Sequence, residues 1–194
     1  MKIGLFFGSF NPVHNGHLMI ANYLQQTSDL DKVWLVVSPQ NPLKEKDSLL
    51  NQYDRLNLIQ LAIDDNPNLK VSNIEFSLPK PSYTIDTLTH LKEKYPAHQF
   101  CLIMGSDNLA SIHKWKNYEM LLKDYEIYVY KRRGYEVPLL PNNAKVHVAD
   151  FPFIDISATF IRNNLRDGIS MQYFLPEKVW QSIEERRLYR PKRT

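Results

Sequence analysis

Met1-Lys2-Ile3-Gly4-Leu5-Phe6-Phe7-Gly8-Ser9-Phe10-Asn11-Pro12-Val13-His14-Asn15-Gly16-His17 opens the chain, and the reading of this stretch decides the fold. Lys2 to Gly8 is a short apolar run that ends at a glycine, the pattern of a buried strand. From His17 to Gln26 the apolar residues Leu18, Ile20, Ala21 and Leu24 recur with the period of a helix that buries one face. A strand that passes through a glycine-containing turn straight into a helix leaves unpaired N–H groups and a positive dipole end at that turn. Such a place suits phosphate, and Gly8 and Gly16 would let backbone approach a ligand closely. His14 and His17, three residues apart, can face one side. Their imidazoles can donate to phosphate oxygens and carry positive charge near neutral pH. Other phosphate motifs fit less well, because Gly4, Gly8 and Gly16 lack G-x-G-x-x-G spacing and no P-loop GK[ST] is present. A zinc site built on His-x-x-His would need further ligands.

Outward from this unit the chain keeps alternating short apolar runs with stretches of helical period, as a parallel sheet covered by helices requires. Strands are predicted at 2–8, 32–38, 69–76, 99–105, 125–131 and 145–150. Helices are predicted at 17–26, 55–64, 85–95, 118–122, 159–166 and 177–187. Gly168 fits a helix C-cap, and Pro176 fits the start of the last helix. The fold class is therefore α/β: a Rossmann-like, doubly wound, mainly parallel sheet of about six strands with helices on both faces. With 194 residues, 43% of them hydrophobic, one domain is expected, carrying a small helical part from about residue 157. In such sheets ligands gather at the carboxyl ends of the strands, near the point where strand order reverses.

The first apolar run is too short for a signal segment or a membrane span, so a cytoplasmic protein without membrane contact is expected. Cys101, the single cysteine, lies between Phe100 and Leu102 and reads as a buried, inert strand residue. The net charge is +3, but Arg186, Arg187, Arg190, Lys192 and Arg193 lie together, with no acidic residue from Arg186 onward. Subtracting those five charges leaves the body at −2, which is not the basic face of a nucleic-acid-binding protein. The basic cluster reads as a solvated helix end and tail.

Gly8, Phe10, Pro12, His14, Gly16 and His17 fill every fixed position of a GxFxPxHxGH pattern, and the chain resembles the HxGH nucleotidyltransferase superfamily that carries it. A second stretch, Ile156-Ser157-Ala158-Thr159-Phe160-Ile161-Arg162, is similar to that superfamily's ISSTxIR signature, with Ala158 in place of a serine. By its own chemistry Ser157 is an N-cap candidate, and Arg162 offers a forked donor matched to phosphate. A merely capped helix would explain the serine equally well. Met104-Gly105-Ser106-Asp107 resembles the family's GxD turn at the adenosine, although an aspartate helix cap has the same look.

Three further stretches, Ser82-Tyr83-Thr84-Ile85-Asp86-Thr87, Lys114-Trp115-Lys116 and Lys131-Arg132-Arg133-Gly134-Tyr135, resemble the bacterial nicotinate mononucleotide adenylyltransferases. The resemblance implies transfer of the adenylyl group of ATP to nicotinate mononucleotide in NAD biosynthesis, with Mg2+ carried by ATP and no protein-bound metal. It assigns His14 and His17 to catalysis. Gly8, Ser9, Phe10, Gly16, Lys44, Gly105, Asp107, Ser157, Thr159 and Arg162 are assigned to ATP. Asn41, Tyr83, Thr84, Trp115 and Arg133 are assigned to the mononucleotide, with Trp115 stacking on the pyridine ring. Lys44 also fits a solvated loop, and Trp115 a packing role. Pantetheine-phosphate adenylyltransferase and cytidylyltransferases share the first signature, and a non-catalytic nucleotide-binding module is the rival from another class. A homo-oligomer is compatible with the sequence.

Overall fold

The computed structural model describes residues 1–39 and 49–190. Strands β1 (Lys2–Gly8), β2 (Lys32–Val37), β3 (Leu69–Ser72), β4 (Gln99–Gly105), β5 (Ile127–Tyr130) and β6 (Val146–Val148) form one sheet in the order β3-β2-β1-β4-β5-β6. Every neighbouring pair is parallel. The strand order reverses between β1 and β4, so the carboxyl ends Gly8 and Gly105 flank the crevice where such sheets bind ligands.

Side-chain alternation along the strands sorts the core into two layers. Phe6, Val33, Leu35, Val37, Cys101, Ile103, Tyr128 and Tyr130 pack beneath helices α1 (Asn15–Thr27), α2 (Gln52–Ala62), α6 (Ala158–Arg166) and α7 (Glu177–Glu185). Ile3, Leu5, Trp34, Val36, Leu102, Met104 and Val129 face α3 (Thr84–Lys94), α4 (Ser106–Ala110) and α5 (Tyr118–Asp124). The helices from 158 onward thus build the same core as α1 and α2. Cys101 is buried, and burial pushes its thiol up to about 12, which removes thiolate character at neutral pH. Among the described residues no helix is long and apolar enough to cross a membrane.

Three local expectations need correction. The third strand stops at Ser72, because Ile74–Ser77 winds into a 3-10 turn that buries Glu75 against Thr87, whose Oγ1 donates to Glu75 Oε1 at 2.8 Å. The short helix α4 stands where the sequence shows only a turn after β4. The basic run is also no solvated tail as far as Arg190: Arg186 pairs with Asp54, Arg190 pairs with Glu184, and Leu188 and Tyr189 pack on the core. Lys192 and Arg193 lie outside the described residues. Gly168 does close α6, with φ +79°, Gly168 N–H bonded to Leu165 O and Ile169 N–H to Asn164 O, the two bonds of a Schellman turn.

Candidate active site

The turn after β1 is shaped by its own side chains. Phe10 has φ +45°, and its buried ring folds back over the turn. A Cβ on Gly8 would lie 2.9 Å from Phe10 Cζ, and one on Gly16 would lie 3.0 Å from Ile154 Cγ2. Both glycines therefore answer first to internal packing, and ligand access is a second reason for them. The Phe10 ring meets Phe6 at 5.7 Å and His17 at 4.9 Å, both edge-on, so the Phe10 side chain braces His17 from below. Contact of Phe10 with a nucleotide would run through its backbone.

His14 caps α1 in an extended conformation, and its carbonyl accepts the His17 N–H at 2.9 Å. The His14 N–H donates to His17 Nδ1 at 3.3 Å. An accepting Nδ1 places the hydrogen of neutral His17 on Nε2. The two imidazoles stack with centroids 3.7 Å apart and 26° between their planes. His14 is 4% exposed, and burial, reinforced by the positive charge of Arg132, lowers its pKa to about 4. Before nucleotide binds, His14 is thus an uncharged imidazole at neutral pH, contrary to the cationic role its position suggests in sequence.

That shift has a consequence for stability. The unfolded chain protonates His14 near 6.5 and the folded chain near 4, so between these values the unfolded state holds more protons. Stability is complete above pH 6.5 and is lost as pH falls toward 4. Between pH 7 and 4.5, the unfolding free energy of the wild type in urea should fall by about 2 kcal/mol more than that of His14→Gln. Parallel falls would show that His14 titrates normally.

The second signature meets the first. Ser157 caps α6, its Oγ accepting Phe160 N–H at 3.2 Å. One turn on, Arg162 Nη1 donates to the Asn11 carbonyl at 2.8 Å, and Nη2 donates to Thr159 Oγ1 at 3.3 Å. Asn11 lies inside the turn after β1, 151 residues away in sequence. The N-terminus of α1 and that of α6, each a positive dipole end, are held together by this guanidinium and by the fit of Ile154 against Gly16.

The turn after β4 adds the third wall. Gly105 precedes α4, and a Cβ there would fall 2.2 Å from Asp107 Oδ1, so only glycine lets this carboxylate fold back over the strand end. Asp107 Oδ1 lies 3.9 Å from Arg132 Nε. Buried Ser106 accepts Arg132 N–H at 2.9 Å and donates to Tyr135 O at 2.9 Å, tying the β4 turn to the β5 turn. Arg132 also lies over the Tyr130 ring at 5.5 Å and feels Asp155 beside the second signature. Arg132 borders the candidate site, whereas Arg133, the arginine that the sequence reading chose, is exposed. A signal existed: Tyr128 and Tyr130 face the α1 layer, and the two-residue period carries Arg132, not Arg133, to that side.

Arg55 was missed too. Fully buried in α2, it donates to the carbonyls of Ser9 (2.5 Å), Ser38 (2.9 Å), Pro39 (3.2 Å) and Leu50 (2.9 Å), clamping the turns after β1 and β2 together. Ser9, assigned to ATP in sequence, thus has its carbonyl engaged from behind.

Of the residues assigned to the mononucleotide, Tyr83, Thr84 and Trp115 come together at the start of α3, and Arg133 is exposed in the turn after β5. Tyr83 is the exposed N-cap residue of α3, and Thr84 is its first residue. Lys116 Nζ bonds Asp86 at 2.9 Å and sits 4.9 Å over the Tyr83 ring. This clip joins the Trp115 loop to the start of α3, with Trp115 partly buried against the second core layer. Asn41 and Lys44 lie outside the described residues.

A doubly wound sheet with two phosphate-type turns joined at its switch point defines a nucleotidyltransferase of the cytidylyltransferase-like class, and the cytidylyltransferase-like family model matches residues 5–164. Relatives described as probable nicotinate-nucleotide adenylyltransferases share 52% identity over 192 residues in Flavobacterium psychrophilum and in Flavobacterium johnsoniae, covering 98% of this chain and 100% of each relative. The chain belongs to the nicotinate-nucleotide adenylyltransferase family. Its fold is similar to that of Plasmodium falciparum nicotinic acid mononucleotide adenylyltransferase complexed with NaAD, with a TM-score of 0.81 at 20% identity over 97% of both chains. A putative nicotinate-nucleotide adenylyltransferase from Vibrio parahaemolyticus is similar with a TM-score of 0.73 at 21% identity, over 98% of this chain and 96% of the other.

Proposed function

We infer that this chain transfers the adenylyl group of ATP to nicotinate mononucleotide, giving nicotinate adenine dinucleotide and pyrophosphate. The observation that carries the reading is the Arg162–Asn11 hydrogen bond, which joins the two phosphate-type turns across the switch point. A phosphate oxygen of the mononucleotide attacks the α-phosphorus of ATP in line. The bond from that phosphorus to the bridging oxygen breaks, and pyrophosphate leaves with the electron pair. No protein nucleophile is needed, so catalysis rests on alignment and on stabilising charge.

The proposed roles follow from position. His14 and His17 donate to the ATP phosphates at the transferring centre. Ser157, Thr159 and Arg162, with the backbone of Gly8, Ser9, Phe10 and Gly16, hold the leaving pyrophosphate. Gly105 and Asp107 receive the adenosine. Arg132 adds positive charge between the Asp107 turn and His14. Incoming phosphate oxygens raise the pKa of His14, so nucleotide binding draws a proton onto it. Tyr83, Thr84 and Trp115 line the pyridine side, where Asn41 and Arg133 are also assigned, and Lys44 is assigned to ATP. The donors at the first two turns are imidazoles, a guanidinium group and hydroxyls, which match phosphate oxygens better than a hard, oxygen-seeking Mg2+ ion. Mg2+ would therefore ride on the triphosphate and its waters, neutralising charge there.

Supplied with ATP and nicotinate mononucleotide, nicotinamide mononucleotide or phosphopantetheine in turn, the protein should release pyrophosphate with the nicotinate substrate and give a product of the mass of nicotinate adenine dinucleotide. Product from phosphopantetheine alone, or none from any acceptor, would overturn the reading. Trp115→Ala should mainly raise KM for the mononucleotide, because ring stacking acts equally in ground and transition states. A change confined to the ATP KM would remove Trp115 from the pyridine side.

A further inference from the structure

Beyond α7 the chain turns back on itself. Arg187 and Tyr189 both adopt left-handed backbone, with φ +52° and +65°, and Leu188 N–H reaches Ile183 O at 3.0 Å. Neither residue is glycine, so each left-handed conformation carries a steric cost and persists only where its surroundings hold it. Two clips do so: Arg190 forks onto both Glu184 oxygens, at 2.5 and 2.7 Å, and Arg186 pairs with Asp54 of α2. The hook delivers the Tyr189 side chain to the turn after β1, where its hydroxyl donates to Asn11 Oδ1 at 2.9 Å, across 178 residues of sequence. The same amide oxygen accepts Leu50 N–H at 3.2 Å. The carbonyl of that same Asn11 receives Arg162, so one residue of the turn after β1 takes bonds from the segment leading into α2, from α6 and from the hook. Arg55 and Arg162 both lie within electrostatic reach of Tyr189, and burial keeps its hydroxyl protonated and able to donate.

We propose that Tyr189 is a positioning residue for adenylyl transfer: by holding the Asn11 side chain, its hydroxyl keeps the Asn11 carbonyl aimed at Arg162 and locks the two phosphate-binding turns in register. The C-terminal hook is then a working part of the site, although Tyr189 touches no reacting atom. This rests on the adenylyl-transfer reading above.

The test is a double-mutant cycle on kcat/KM for ATP with Tyr189→Phe and Arg162→Ala, singly and together. Removing one buried hydroxyl that acts through Arg162 should lower kcat/KM about tenfold in the wild-type background and leave it nearly unchanged in the Arg162→Ala background. The KM for the mononucleotide should stay the same, since the Trp115 side is untouched. Tyr189→Met, which keeps bulk without a donor, should reproduce the pattern, and thermal midpoints of all variants check that each is folded. A loss of equal size in both backgrounds would make Tyr189 a general stabiliser and overturn the proposal, as would wild-type kinetics in folded Tyr189→Phe. If the wild type itself made no dinucleotide, it is the adenylyl-transfer reading that would fall.

Discussion

His17→Ala is expected to lower kcat/KM by a factor of about 10² to 10³, the usual cost of losing a preorganised donor to the transition state. Contacts that preorganise this imidazole include the His14 N–H on Nδ1, the stacked His14 ring, and the Phe10 ring edge at 4.9 Å. The first of these sets the tautomer, with the hydrogen of the neutral ring on Nε2. The substitution also removes the acceptor for one N–H at the helix start, which costs about 1 kcal/mol of stability. Circular dichroism and a thermal midpoint separate that loss from the kinetic one. Near-normal kinetics in a folded variant would remove His17 from the chemistry.

Arg162→Ala is expected to cost about 10²-fold in kcat, with KM for the mononucleotide little changed. Two losses combine: a forked cation beside the leaving pyrophosphate, and the anchor of the α6 turn on Asn11. Arg162→Lys discriminates between them. Lysine restores the charge but cannot fork between the Asn11 carbonyl and Thr159 Oγ1 as the guanidinium does, so it should recover only part of the activity. Full recovery with lysine would mean that charge alone matters and that the tie between the turns is incidental.

The parts of this protein that were legible in sequence are those written in local pattern. The β1 unit declares itself through an apolar run, a glycine turn and a helical period, and both ends of β1 and β4 fall where that pattern places them. Ser157 was readable as a cap because capping is a property of neighbours three residues apart. What escaped notice depends on contacts with no local trace. Arg55 looks like a surface residue at the start of an amphipathic helix, and only the fold shows four carbonyls converging on it. Tyr189 sits in a run of arginines that reads as a solvated end, and its partner lies 178 residues away. The neutral state of His14 follows from burial and from Arg132, neither of which the spacing of two histidines discloses. Arg132 itself was within reach of the two-residue alternation of β5, had that been followed one step past the strand.

The joining of the two turns on one triphosphate is tested most directly by a crystal structure of the protein with a nonhydrolysable ATP analogue. His17 Nε2 and the Arg162 guanidinium should both lie within hydrogen-bond distance of oxygens of the same nucleotide, with the Arg162–Asn11 bond intact. A triphosphate that touches one turn while the other faces solvent, or that lies away from the β1–β4 crevice, would contradict it.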